Sequence, residues 1–220
     1  MQLTNDRSLA QQESRDQESV LQELSKSIEQ SRKECGIPGM AVAILFKGQL
    51  VFAEGFGIRN EQKESFTPQT LSPIGSLTKA FTATMIGELV AEGKMDWNKT
   101  PINKYLPEFE LQDPAWTREL TISDLLSHQT GLPATSFLFR RNQHNRRETI
   151  KAFQDLVLPA SRPHVSRYQY GNSMFVVAGE AAVAASGIDS IEVEDLIRLK
   201  VLEPLKLHNT GFSAMEMKKR

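Results

Sequence analysis

A chain of 220 residues with 40% hydrophobic and 24% charged side chains carries enough apolar material for one substantial core, alone or with an inserted lobe. Its formal net charge of -1 excludes the global basic field that draws nucleic acid, and one cysteine, Cys35, excludes an intrachain disulfide framework and reads as a small buried apolar residue. No run approaches the roughly 20 apolar residues of a membrane-spanning helix, and the Gln-, Ser-, Asp- and Glu-rich stretch from Met1 to about Leu21 lacks the apolar core of a signal peptide. The expectation is a soluble, cytoplasmic protein with no nucleic-acid or membrane partner.

Residues 1–19 read as a polar tail, 20–214 as one partial domain and 215–220 as a truncated C-terminal end. Val20, Leu21, Leu24 and Ile28 recur at helical spacing against a polar face, which predicts a surface helix from about Val20 to Glu34. Gly36-Ile37-Pro38-Gly39 ends it. Met40 to Phe46 and Leu50 to Ala53 then read as two strands of a hairpin turning at Lys47-Gly48-Gln49. Gly55-Phe56-Gly57 suggests a nucleotide loop, but position 60 is Asn and no βαβ unit follows, so these glycines read as a strand end.

After a polar, turn-rich stretch from Asn60 to Pro73, the pattern predicts one helix from about Ser76 to Gly93. Leu77, Phe81, Met85 and Leu89 form its stripe, which Ile86 and Val90 widen, so the helix is expected to be buried around much of its circumference. Ser76-Leu77-Thr78-Lys79 stands at its start. Residues three apart share a helix face, so the Lys79 amine can reach the Ser76 hydroxyl and, if neutral, take its proton during attack on a carbonyl. Burial of that helix would lower the Lys79 pKa toward a useful range. The bland reading of the same pattern is a surface serine with a lysine that reaches past its neighbours to water.

Pro101, Pro107 and Pro114 punctuate the next segment, and Thr121 with Asp124 three residues on predicts a capped helix from Ile122 to His128, stopped by Gly131-Leu132-Pro133. Arg140, Arg141, Arg146 and Arg147 with His144 form a basic run that reads as a solvated loop or helix face. Tyr168-Gln169-Tyr170-Gly171-Asn172-Ser173 leads into an apolar helix from about Met174 to Ala185 closed by Gly187, and an amphipathic helix follows from about Ile191 to Leu202. No repeat is present. His128, His144, His164 and His208 lack the paired spacing of a zinc site, and no metal or cofactor is expected.

Taken together, Pro73-Ile74-Gly75-Ser76-Leu77-Thr78-Lys79, Leu125 to Pro133 and Tyr168-Gln169-Tyr170-Gly171-Asn172 resemble the serine β-lactamase and penicillin-binding-protein superfamily, in its class C-like branch of esterases, peptidases and acyltransferases. The resemblance spans about residues 36 to 214. It implies an α+β fold of β-lactamase/transpeptidase type, here an N-terminal helix, a β-hairpin and a helix-rich lobe. It also implies roles: Ser76 is acylated, Lys79 helps to activate it, Tyr170 assists proton transfer, and Asn172 orients substrate and lysine. The substrate class it implies is a small ester, amide or lactam. His128 tempts as a triad base but ranks below a structural histidine, because no G-x-S-x-G elbow accompanies it.

The family's third motif, a K-T-G or H-x-G triplet on an inner strand, lies after the Y-x-N loop, and no such triplet follows Asn172 here. That strand lines the cleft and supplies one of the two N–H donors of the oxyanion hole; losing a donor typically costs about a hundredfold to a thousandfold in rate. Without the C-terminal strands of the antiparallel sheet, the hairpin is expected to show an open edge and an uncovered apolar face. A fragment, a partly degenerate protein and a chain completed by a partner are the alternatives, with the fragment favoured because the acylation residues are all present. The competing functional reading is an inactive fragment or binding module of the same fold.

Overall fold

The computed structural model describes the backbone of residues 2–132, 145–156 and 168–212, with side chains from residue 17 onward. The chain divides into two units, Met1–Pro73 and Ile74–Arg220.

In the first unit, α1 (Gln2–Glu34) starts well ahead of the predicted Val20. No glycine or proline interrupts these residues, and Gln, Glu, Arg and Lys hold a helix without an apolar stripe at every turn. Arg32 and Lys33 complement the carbonyl end, and Gly36 leaves the helix at a φ of 64°. Cys35 is exposed rather than buried, because it lies in the turn past the helix end where no side chain covers it.

Strands β1 (Gly39–Phe46) and β2 (Gln49–Gly57) form the expected antiparallel hairpin, with Gly39 opposite Gly57 and Ile44 opposite Phe52. Lys47 and Gly48 both have positive φ, the geometry that matches a two-residue turn to the strand twist. The register shifts after Ile44, where β2 carries one extra residue, Val51, so Leu45 faces Leu50. The Gly55-Phe56-Gly57 run is indeed strand, and its glycines serve close approach: a Cβ on Gly55 would lie 2.2 Å from the Phe66 carbonyl oxygen. Among the described residues the sheet has two strands, and Leu45, Phe46 and Leu50 remain exposed on it.

The second unit is helical. A 3-10 turn (Gly75–Leu77) runs into α2 (Thr78–Ala91), followed by α3 (Ile102–Tyr105), α4 (Pro114–Thr117), α5 (Ile122–Leu126), α6 (Arg146–Lys151), α7 (Asn172–Ser186) and α8 (Val193–Ile197), which continues as a π-helical turn through Leu202. Met85, Ile86 and Leu89 of α2 are fully buried, as the pattern predicted. Leu77 is not: it is 70% exposed, because the 3-10 turn ahead of α2 breaks the 3.6-residue period on which the stripe rested.

Helix α7 is the axis of this unit and packs against α2, α3, α5, α6 and α8. Its buried Ala178, Gly179, Ala181 and Ala182 keep the neighbours close; a Cβ on Gly179 would stand 3.1 Å from a Val193 methyl. Gly187 closes it at a φ of 70°. Trp116, Phe109, Phe153 and Leu125 fill the core around it.

The predicted cap of α5 is a reciprocal box: the Thr121 side chain accepts from the Asp124 N–H, and the Asp124 carboxylate accepts from the Thr121 N–H at 2.9 Å. Thr121→Ala is expected to lower unfolding free energy by about 0.5–2 kcal/mol, read as a shifted denaturation midpoint at unchanged slope.

Candidate active site

The site residues reach one place because two helices begin there. Gly75 adopts a φ of 54°, a conformation that suits glycine, and the Thr78 hydroxyl donates to its carbonyl at 2.7 Å. This turn presents Ser76 to solvent at the start of α2, with Lys79 one turn on and half buried. Packing of α7 on α2 brings Asn172, the first residue of α7, to the same end. Tyr170 stands two residues before it.

The four side chains form one connected group. The Tyr170 hydroxyl donates to Ser76 Oγ at 2.7 Å, and Lys79 Nζ donates to Ser76 Oγ at 3.2 Å and to Asn172 Oδ1 at 2.6 Å. Lys79 Nζ also lies 4.7 Å from the Tyr170 ring centroid and 5.4 Å from that of Phe175. Hydrogen bonding with Lys79, and then with Ser76, holds the Tyr170 phenol below its ordinary range. Lys79 is half buried, and its two hydrogen-bond partners fix the position of its amine.

His128 lies beneath this group, 6% exposed and at a φ of 58°. Its Nδ1 accepts the Gly171 N–H at 3.3 Å, and its carbonyl accepts the Gln169 N–H at 2.9 Å. Burial, and after it the charge of Lys79, lowers its pKa. It makes no hydrogen bond to Ser76 among those of the described residues, so the geometry agrees with a structural rather than a triad histidine.

A cleft of about 550 Å³ opens beside Ser76 and Lys79, with Phe175, Val176, Val193, Ile197 and Phe212 as its apolar wall. Arg146 and Glu194 add charge to its rim. Sequence reasoning missed this role of Arg146, which sat inside the basic run; Arg140, Arg141 and His144 of that run lie outside the described residues. The available signal was Asn145 followed three residues on by Glu148, a capping box that starts α6. Arg146 pairs with Glu194, with Glu192 at 3.2 Å and with Glu180 at 3.7 Å, tying α6 to α7 and to the start of α8. Burial raises the Glu180 carboxyl pKa. A larger groove of about 640 Å³ between α1 and β2 contains none of the four site residues. Among the described residues, no helix is long and apolar enough to cross a membrane.

The family model named Beta-lactamase matches residues 24–218. The chain is 32% identical to an unguisins hydrolase of Aspergillus campestris over 87% of its own length and 36% of that protein's. It is 30% identical to a protein named Beta-lactamase from Escherichia coli strain K12, over 79% of this chain and 43% of that one. Its backbone superposes on an octameric penicillin-binding protein homologue from Pyrococcus abyssi with a TM-score of 0.73 at 29% identity, over 90% of this chain and 46% of the other. The chain thus spans less than half the length of these relatives. The fold is the β-lactamase/transpeptidase-like one, mixed helix and sheet.

Proposed function

The chain belongs to the Beta-lactamase family, and from that premise we propose that it is a serine hydrolase or acyltransferase working through an acyl-enzyme on Ser76. One observation carries the proposal: the Ser76 hydroxyl oxygen is within hydrogen-bond reach of both the Tyr170 phenol and the Lys79 amine. A nucleophile needs a base at that reach.

Tyr170 as phenolate takes the Ser76 proton while Oγ bonds to the substrate carbonyl carbon. The Ser76 backbone N–H offers one hydrogen bond to the oxyanion. Collapse of the tetrahedral adduct breaks the bond to the leaving alcohol or amine, which receives the proton back from Tyr170. Water or a second nucleophile then takes the acyl group. Lys79 favours the phenolate electrostatically, and Asn172 Oδ1 fixes the Lys79 amine. The substrate class is a small ester, amide or lactam, seated by an apolar portion on the Phe175 and Phe212 wall. The Y-x-N loop supports placement in the class C-like branch.

Intact-mass spectrometry after exposure to a fluorophosphonate and, separately, to a β-lactam tests the reading. One stoichiometric adduct mapped to the Ser76 peptide is expected; saturable probe binding without an adduct would point to a binding module instead.

The pH dependence has a definite sign. The phenolate is the reactive form, so labelling is gained as pH rises through a Tyr170 pKa held below its ordinary value of about 10. Tyr170→Phe is expected to label slowly and without that limb. A basic limb unchanged in Tyr170→Phe assigns the base elsewhere.

A further inference from the structure

We infer that His128 is the positioning residue that holds Tyr170 against Ser76. Tyr170 belongs to no helix and is 43% exposed, so its own burial does not fix its hydroxyl. His128 grips the chain on both sides of it. Its backbone carbonyl takes the Gln169 N–H and its ring Nδ1 takes the Gly171 N–H. Its imidazole packs under the Tyr170 ring with centroids 4.5 Å apart, and is itself met edge-on by Tyr168 at 5.6 Å and by the tilted ring of Phe175 at 5.4 Å. The catalytic assignment of Tyr170 rests on the function proposed above; the grip itself does not.

An imidazole can accept at Nδ1 only when neutral, with its proton on Nε2. Among the described residues, the ionisable groups facing the ring are Lys79 from α2 and Tyr168 and Tyr170 from the loop, while α7 presents Phe175, which does not titrate. A second cation beside Lys79 is disfavoured, and burial acts in the same direction. Protonation at low pH would set two donors, Nδ1–H and the Gly171 N–H, against each other and release the loop.

The positive φ narrows the useful substitutions. Asparagine tolerates that backbone, and its Oδ1 can stand in for Nδ1; leucine fills space but accepts nothing. Tyrosinate absorbance is titrated in wild type, Tyr170→Phe, His128→Asn and His128→Leu. The expected result is one early tyrosine ionisation, missing from Tyr170→Phe, that is present in wild type and His128→Asn and moves to higher pH in His128→Leu. Its persistence in His128→Leu, or its absence from wild type, overturns the inference. If His128→Leu does not fold, the wild-type His128 ring nitrogens decide by NMR: a neutral ring protonated at Nε2 at pH 7 supports the grip, and a proton on Nδ1 overturns it.

Ser76 labelling followed in parallel separates the two readings. A hundredfold slower label in His128→Leu with recovery in His128→Asn supports both, since misplacement by about 1 Å can cost that much. A wild type that shows the early tyrosine but never labels supports the grip and counts against the acyl-enzyme.

Discussion

With alanine at position 76, the protein is expected to keep its fold and lose every covalent adduct with a fluorophosphonate or a β-lactam. Ser76 is exposed on a 3-10 turn, so its hydroxyl contributes no packing. Both donors that point at it, Tyr170 and Lys79, have access to water or to other partners once it is gone. Surface changes of this kind usually stay within about 0.5 kcal/mol of wild-type stability. The chemical loss is far larger, because Tyr170, Lys79 and Asn172 have no nucleophile to assist; residues that act as one unit lose on the order of a millionfold together. The measurement is the labelled fraction by intact mass beside a thermal melt. An adduct surviving in Ser76→Ala would move the nucleophile to another side chain, with exposed Cys35 the first to check through Cys35→Ser.

Lys79→Ala is expected to slow Ser76 labelling by about a hundredfold to ten-thousandfold, the usual reach of general acid–base assistance. The substitution removes the cation 3.2 Å from Ser76 Oγ and 2.6 Å from Asn172 Oδ1. It also removes the first cause of the lowered Tyr170 pKa, so the basic limb of the labelling profile should move to higher pH. Lys79→Arg should not restore the rate, because a planar guanidinium is not interchangeable with a compact ammonium in this contact. Since Lys79 and Tyr170 act on one hydroxyl, the double variant with Tyr170→Phe should lose less than the two single losses combined. Strict additivity would mean that the two side chains assist separate steps.

Much of the architecture was legible because it follows from local chemistry. The hairpin was readable from two apolar runs around Lys47-Gly48, the α5 start from Thr121 and Asp124, and the α7 stop from Gly187. The extent of α1 was underestimated because its first half has no apolar stripe, and periodicity is silent where a helix rests on propensity alone. Leu77 misled for the opposite reason. It fits the stripe on paper, but the chain enters α2 through a tighter turn that swings it to solvent.

By itself the sequence determined the S-x-x-K and Y-x-N residue types, their helix-start positions and the family to which they point. Those signals lie within a few neighbouring residues and so survive without any tertiary contact. Only the tertiary structure decided that Tyr170 joins Lys79 at the Ser76 hydroxyl, that Arg146 joins the cleft through three carboxylates, and that His128 holds the loop from both sides. Each of these depends on α7 packing through its small residues against α2, α5, α6 and α8, a contact between segments far apart in the chain that no local pattern encodes.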